Sequence, residues 1–350
     1  MIEIDGSLGE GGGQVLRTAL SLSCVTGKPF RIRNIRASRP KPGLRRQHLV
    51  AVQAAARIAS ANVVGDHLGS TELSFLPGLV TPGDYSFAIG TAGSTPLVLQ
   101  TLIPPLLLAS GPSRLTLSGG THVPFSPSWH YLAEVFAPVL LRLGARIELT
   151  LERCGFYPKG GGSVHCRIHP CAGFSPLSAG PRGELLRVSG VSAVGNLPLS
   201  IAERQARSSS SALQGAPGAA VPLGLPNQAV AAFGQGTFLF IKGEYQGAIS
   251  GFTALGARGR SAEVVGREAA AEFLTHHATG MPVDPHLADQ LVLYLAQAKF
   301  PSILATPRIT SHLETNLAVT GCFLDIEFEI TGMRDAPGTI TIVPRGSIIR

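Results

Sequence analysis

The sequence predicts an α/β (α+β) fold, with three repeated βαβα-type units in one large domain and a small α/β insert. Three observations predict it. First, three segments share one order: a glycine or polar turn, an apolar helix, a strand, a polar turn, a second helix, then strands. Second, a histidine opens the second helix of each segment: His48, His130 and His312. The second interval between them exceeds the first by roughly 100 residues, which marks an insertion of about that length. Third, the excess sequence alternates strand and helix on its own. Repetition at this period means one supersecondary unit used several times, each burying its apolar face against its neighbours. The expected division is 1–182 with 284–350 for the large domain and 183–283 for the insert.

The first segment opens at Glu10-Gly11-Gly12-Gly13 and runs into a helix over Gln14 to Cys24. The strand Phe30 to Ile35, a basic turn and the helix Gln47 to Ala59 follow. The second opens at Thr91-Ala92-Gly93-Ser94, with a helix from Leu97 to Ala109, the strand Arg114 to Ser118 and the helix His130 to Leu143. The insert holds the strand Leu185 to Val191, the helix Ser200 to Leu213, a hairpin over Gly236 to Ala254 and the helix Ala262 to His276. Between these, Gln214 to Gly234 is rich in Gly, Ala and Pro and reads as a loop or mobile edge. The third segment opens at Ala288-Asp289-Gln290, with the helix Leu291 to Gln297, a short apolar piece Ser302 to Ala305 and the helix His312 to Thr320.

Of the 350 residues, 44% are hydrophobic and 15% charged, which excludes disorder as a description of the whole. A net charge of +7 and a pI near 9.5 favour a phosphate-bearing partner. Cys24, Cys154, Cys166, Cys171 and Cys322 are scattered, with no C-x-x-C, so a reducing compartment is expected. The first ten residues lack the basic and apolar pattern of a signal peptide. The longest apolar stretch, Pro96 to Ala109, contains Gln100, Pro104 and Pro105 and is too short to span a bilayer. The expectation is a cytoplasmic protein with no membrane partner.

Three stretches carry chemistry. Glycines 9 and 11 to 13 precede a helix start, where backbone N–H groups can face an anion. The stretch is not a P-loop, because Gly27-Lys28 is followed by Pro29. Nor is it read as a dinucleotide fingerprint, since no early βαβ unit is expected to frame it. Arg36 through His48 sets five basic residues on a proline-stiffened turn, which suits bidentate phosphate binding. Ser311-His312 places an imidazole at a helix start with no cysteine or second histidine nearby, so it offers no metal set. His165, Cys166, His169 and Cys171 have ligand-like spacing, but no second pair completes a zinc site.

In order and spacing these segments resemble the RNA 3′-terminal phosphate cyclase family over nearly the whole chain. The residues that carry the resemblance are the Asp5-to-Arg17 opening, Ile35-Arg36-Ala37 through Gly43, Gln47-His48-Leu49, and Gly90-Thr91-Ala92-Gly93-Ser94. Later come Gly155-Phe156-Tyr157-Pro158 with Gly160-Gly161-Gly162, Ser261-Ala262-Glu263, Leu287-Ala288-Asp289-Gln290, and Ser311-His312-Leu313 with Thr315-Asn316. The resemblance implies a large domain of three units like the C-terminal domain of a bacterial initiation factor, with a thioredoxin-like insert.

The implied reaction closes an RNA 3′-phosphate to a 2′,3′-cyclic phosphate, using ATP and a divalent metal, Mg²⁺ or Mn²⁺. Carried over residue by residue, His312 is the nucleophile and Glu10 holds the metal. Arg17, Arg36, Arg39 and Gln47 hold phosphates of RNA or nucleotide. Gln100, Pro127, Phe252, His286, Leu287, Ala288, Asp289 and Gln290 line the ATP pocket. His286 stands where the family usually has tyrosine, and an imidazole offers adenine less stacking area. Implied partners are ATP and an RNA with a 3′-phosphate end, and a homodimer is left open. Non-catalytic relatives lack the histidine nucleophile, which this chain has. A general basic RNA-binding module would explain the charge but not the set of Glu10, Asp289 and His312.

Overall fold

The computed structural model describes residues 1–178, 180–214 and 223–345. In chain order the first elements are β1 (Ile2–Asp5), α1 (Gln14–Thr26), β2 (Phe30–Arg33), α2 (Arg46–Ile58), β3 (Asn62–Val64) and β4 (Leu73–Leu76). Next come β5 (Asp84–Ala88), α3 (Thr95–Leu107), β6 (Ser113–Gly119), α4 (Trp129–Tyr131), a π-helical turn (Leu132–Phe136), α5 (Ala137–Arg142), β7 (Ile147–Arg153) and β8 (Gly162–Ile168). A middle stretch holds β9 (Leu185–Gly195), α6 (Leu199–Gln214), β10 (Leu223–Gly224), β11 (Asn227–Ala229), β12 (Gly236–Tyr245), β13 (Ile249–Leu255) and α7 (Ala262–Thr279). The chain closes with α8 (Pro285–Leu295), β14 (Ser302–Thr306), α9 (Ser311–Phe323), β15 (Ile326–Gly332) and β16 (Gly338–Pro344).

These elements form a mixed α/β fold with four small sheets. Two of them have the same order and sense. In β1-β2-β4-β3 and β5-β6-β8-β7 the first pair is parallel and the other two pairs are antiparallel. The last sheet, β14-β16-β15, is wholly antiparallel. In the middle stretch β12 is the centre of a sheet flanked by β9 and β13.

Two differences from the sequence reading have local causes. Strand β1 pairs in parallel with β2 on either side of α1, so a βαβ unit does frame the glycine loop. With only Ile4 buried in Ile2–Asp5, the strand has almost no apolar signature. Part of the Gly/Ala/Pro stretch, 215–222, lies outside the described residues. Its described remainder includes β10 and β11, short strands paired with β9 rather than a plain loop.

The main core is continuous from Ile4 to Ile342 and is centred on helices. Helix α1 packs against α2, α3 and α9, and α9 packs against α8. Its Val15, Leu16, Ala19, Leu20 and Leu22 are fully buried. It ends at Gly27, whose φ of 69° lets its N–H reach Ser23 O. In β12, Phe238 and Phe240 enter this core while Leu239 and Ile241 enter a second one under α6 and α7. The unbroken apolar run there is thus a strand covered on both faces. No helix among the described residues is long and apolar enough to cross a membrane. The five cysteines are free.

Candidate active site

The glycine loop between β1 and α1 is a floor on which distant side chains rest. A Cβ on Gly12 would stand 2.8 Å from the Arg39 guanidinium and from the Glu10 carboxyl carbon. One on Gly13 would press on Arg17 and His48. Gly9, at φ 62°, leaves room for Thr315 of α9. Absence of side chains therefore lets the basic turn, α1 and α9 close on one point.

His312 is the second residue of α9, whose N-cap Thr310 accepts from Leu313 N at 3.1 Å. Its Nε2 lies 3.4 Å from Glu10 Oε2, and its side chain is 43% exposed. Burial pushes the imidazole pKa below 6.5, against an upward pull from Glu10; Arg17, His286 and Arg39 add to the lowering. The positive end of α9 acts in the same sense. A neutral ring is therefore favoured near pH 7. Nδ1 is buried and has no partner among the described residues.

Arg39 donates to Glu10 Oε2 at 2.5 Å, so in this state Glu10 is shared between a guanidinium and an imidazole. Arg17 donates to Gln14 Oε1 at 2.7 Å, and burial lowers its pKa to about 10, which leaves it charged at neutral pH. Asp289 has its pKa raised well above the ordinary carboxyl value, first by burial and then by Asp284. Gln14, Arg17, Gln100, Asp289, Gln290 and Asn316 line a cavity of about 30 Å³. Gln100 Nε2 and Gln290 Oε1 are buried there with no partner among the described residues, so the cavity presents both a donor and an acceptor.

The remaining residues singled out by sequence lie as follows. Gln47 Oε1 accepts from Ser94 N at 2.9 Å, joining α2 to the start of α3. Arg36, at φ 55°, donates to Lys41 O and Gly43 O and so braces its own turn. His286 is exposed at the start of α8, edge-on to Tyr131. Leu287 and Ala288 are in the main core. Phe252 packs with Phe273 and His276 in the second core. Its neighbour Thr253 reaches Ser128, next to Pro127, at 2.8 Å.

Sequence reasoning misses two supports. Asn316 Oδ1 accepts from Gln14 and Thr18 while its Nδ2 donates to Asp289 O at 2.8 Å. Its position one helical turn after His312 is the signal that could have found it. Asp284 is fully buried and caps α8 by accepting from His286 N and Leu287 N, and Tyr131 donates to it at 2.8 Å. The Asp284-Pro285 pair is a legible helix-start signature.

Among the described residues no three His, Cys, Asp or Glu side chains are grouped to hold a metal ion. Glu10 by itself suits an ion that takes one carboxylate and completes its shell with substrate phosphates and water, as Mg²⁺ does. A larger groove of about 460 Å³ on α6 and α7 shares no residue with this set, and Glu263 there is paired with Arg204.

Residues 8–330 match the family model described as RNA 3′-terminal phosphate cyclase. Proteins of that name are similar along almost their full length. The one from Koribacter versatilis is 48% identical, with 95% of this chain and 92% of that protein covered. The one from Methylococcus capsulatus is 46% identical, with 92% and 91% covered. The one from Methanopyrus kandleri is 43% identical, with 99% of each covered. With its glycine floor, its basic turn and a neutral histidine meeting in one place, this chain belongs to the RNA 3′-terminal phosphate cyclase family.

Proposed function

We propose that this chain converts an RNA 3′-terminal phosphate to a 2′,3′-cyclic phosphodiester at the expense of ATP, through a covalent His312–AMP intermediate. The observation that carries the reading is the state of His312: accessible, held neutral, and facing Glu10 with Arg17 and Arg39 close by. Family membership supports the overall reaction.

A phosphate monoester is a poor electrophile because it has no good leaving group, and adenylylation supplies one. In the first step Nε2 of His312 attacks the α-phosphorus of ATP. An N–P bond forms, the bond to the β-phosphate oxygen breaks, and pyrophosphate leaves. Glu10 turns away from Nε2, and the ring proton resides on Nδ1. In the second step an oxygen of the RNA 3′-phosphate attacks the same phosphorus, and the N–P bond breaks to restore His312. In the third the neighbouring 2′-OH attacks the RNA phosphorus, its proton goes to solvent, and AMP leaves. The ribose itself supplies proximity for that closure, and DNA lacks the hydroxyl.

Arg17 and Arg39 hold the anionic oxygens by charge-assisted hydrogen bonds. Gln100, Asp289 and Gln290 offer donors and acceptors to the nucleotide. Glu10 would hold a divalent ion, Mg²⁺ or Mn²⁺, which would supply counter-charge for the phosphates. The test is incubation of the protein with α-³²P-ATP and Mg²⁺, followed by denaturing electrophoresis. An acid-labile, alkali-stable label is expected, and none on His312→Ala. A label that persists on that variant would move the nucleophile elsewhere.

A further inference from the structure

We infer that exposed aromatic side chains beside the phosphate-binding set form a stacking platform for the unpaired nucleotides that precede the RNA 3′ end. The inference rests on the cyclase reading and extends it from the terminal phosphate to the body of the strand.

Phe125, Tyr157 and Phe233 are 102%, 69% and 64% exposed. The segments bearing Phe125 and Tyr157 are tied to the loop that opens α3, and Phe233 rests on the turn that bears Tyr157. Ser126, next to Phe125, meets Ser94 with an Oγ–Oγ distance of 2.5 Å. Tyr157 is at the tip of a turn closed by Gly160 N donating to Phe156 O at 2.7 Å. The open side of Gly160 lies against Thr91, and that of Gly161 against the Phe233 ring. The same loop donates Ser94 N to Gln47, which links it to α2, the helix that follows the basic turn. Phe125 also has φ 60°, a conformation that a bulky residue rarely holds without a purpose.

Charge accompanies the rings. The Lys159 stem packs beside Gly234, next to Phe233. Arg153 donates its Nε to Gly161 O at 2.7 Å, and its terminal NH groups have no partner among the described residues. Arg46 reaches Gly90 at the start of the loop. Exposed rings interleaved with cations are what single-stranded RNA requires: faces for its bases and counter-charges for its backbone. The cations set among these rings favour a polyanionic strand over an apolar protein face.

The test uses 3′-phosphorylated RNA oligonucleotides of increasing length, with 2-aminopurine one position before the 3′ end. Binding without ATP should quench the fluorophore, and affinity should rise over the first few nucleotides. Tyr157→Ala and Phe233→Ala should each remove most of the quench and weaken the longer strands about tenfold or more, while Tyr157→Phe retains both. Lys159→Ala should flatten the salt dependence. Equal affinity for short and long strands, or full quenching by the alanine variants, would overturn the inference. Labelling of the unsubstituted protein by ATP separates the two readings. A label without stacking defeats only the platform, and stacking without a label defeats only the cyclase chemistry.

Discussion

Asn316 Oδ1 accepts a hydrogen bond from Thr18 Oγ1 at 2.6 Å, tying the helix that bears His312 to the helix that bears Arg17. Through Nδ2 the same residue holds the backbone of Asp289. One fully buried amide therefore sets three helices against each other behind the site.

Asn316→Ala should leave the Thr18 hydroxyl and the Gln14 amide without their acceptor. The expected loss is about 1–3 kcal/mol of stability. Thermal melting checks that, and self-labelling by ATP should slow at temperatures where the variant is still folded. Labelling at the wild-type rate would show that the clamp does not position His312.

Gly12→Ala is a test of the floor. Its backbone does not require glycine, but the new methyl group would meet Glu10 and Arg39. The variant should fold with a nearly unchanged melting temperature and lose most of its self-labelling. A normal labelling rate would mean that Glu10 can act from elsewhere.

Arg39→Ala should release Glu10 from its ion pair while leaving His312 in place. Handling of the RNA 3′-phosphate, read as the concentration dependence of AMP transfer, should weaken more than self-labelling. Equal loss of both would place Arg39 on ATP.

Acid should destabilise the protein through histidines buried in the neutral form. Burial lowers His48 to about 3 and both His130 and His276 to about 4, and it lowers His122 well below 6.5. Each is protonated in the unfolded chain before it is in the native one. The unfolded state thus binds more protons between the ordinary value of 6.5 and about 4, and stability falls as pH falls through that window. Each histidine contributes up to about 1.4 kcal/mol per pH unit there. The buried Asp289 carboxyl, raised well above its ordinary value, opposes part of this fall. Melting temperatures from neutral to mildly acid pH should still drop, and a rise would contradict the burial of the histidines.

Helices were legible in the sequence where apolar residues repeat on one face. Helix α1 starts at Gln14 as its pattern says, and α9 starts one residue before His312. Helix α8 starts at Pro285 rather than Leu291, because its first turn is set by the Asp284 cap and not by an apolar stripe. Strand β1 escaped because one buried residue in four makes no period. At the site, Glu10, Arg39 and His312 were legible as residue types, but their sharing of one carboxylate was not. Neither was the Tyr131–Asp284 pair, 153 positions apart in the chain. Such pairings are made by the fold and leave no local trace.

The distance along the chain between the two ends of the site also bears on how the protein is made. Gln14 and Asn316 are 302 positions apart. At a ribosomal speed of roughly 5–20 residues per second, the glycine floor waits about 15–60 s for the histidine that completes it. During that interval the face of α1 that will receive α9 has no cover. On the proposed reading, His312 is the group that would attack ATP, so chemistry would begin only after nearly all of this sequence has been made. On the proposed chemistry, a message broken before the codon for His312 should therefore yield a product that fails to label itself with AMP, however well its earlier part folds.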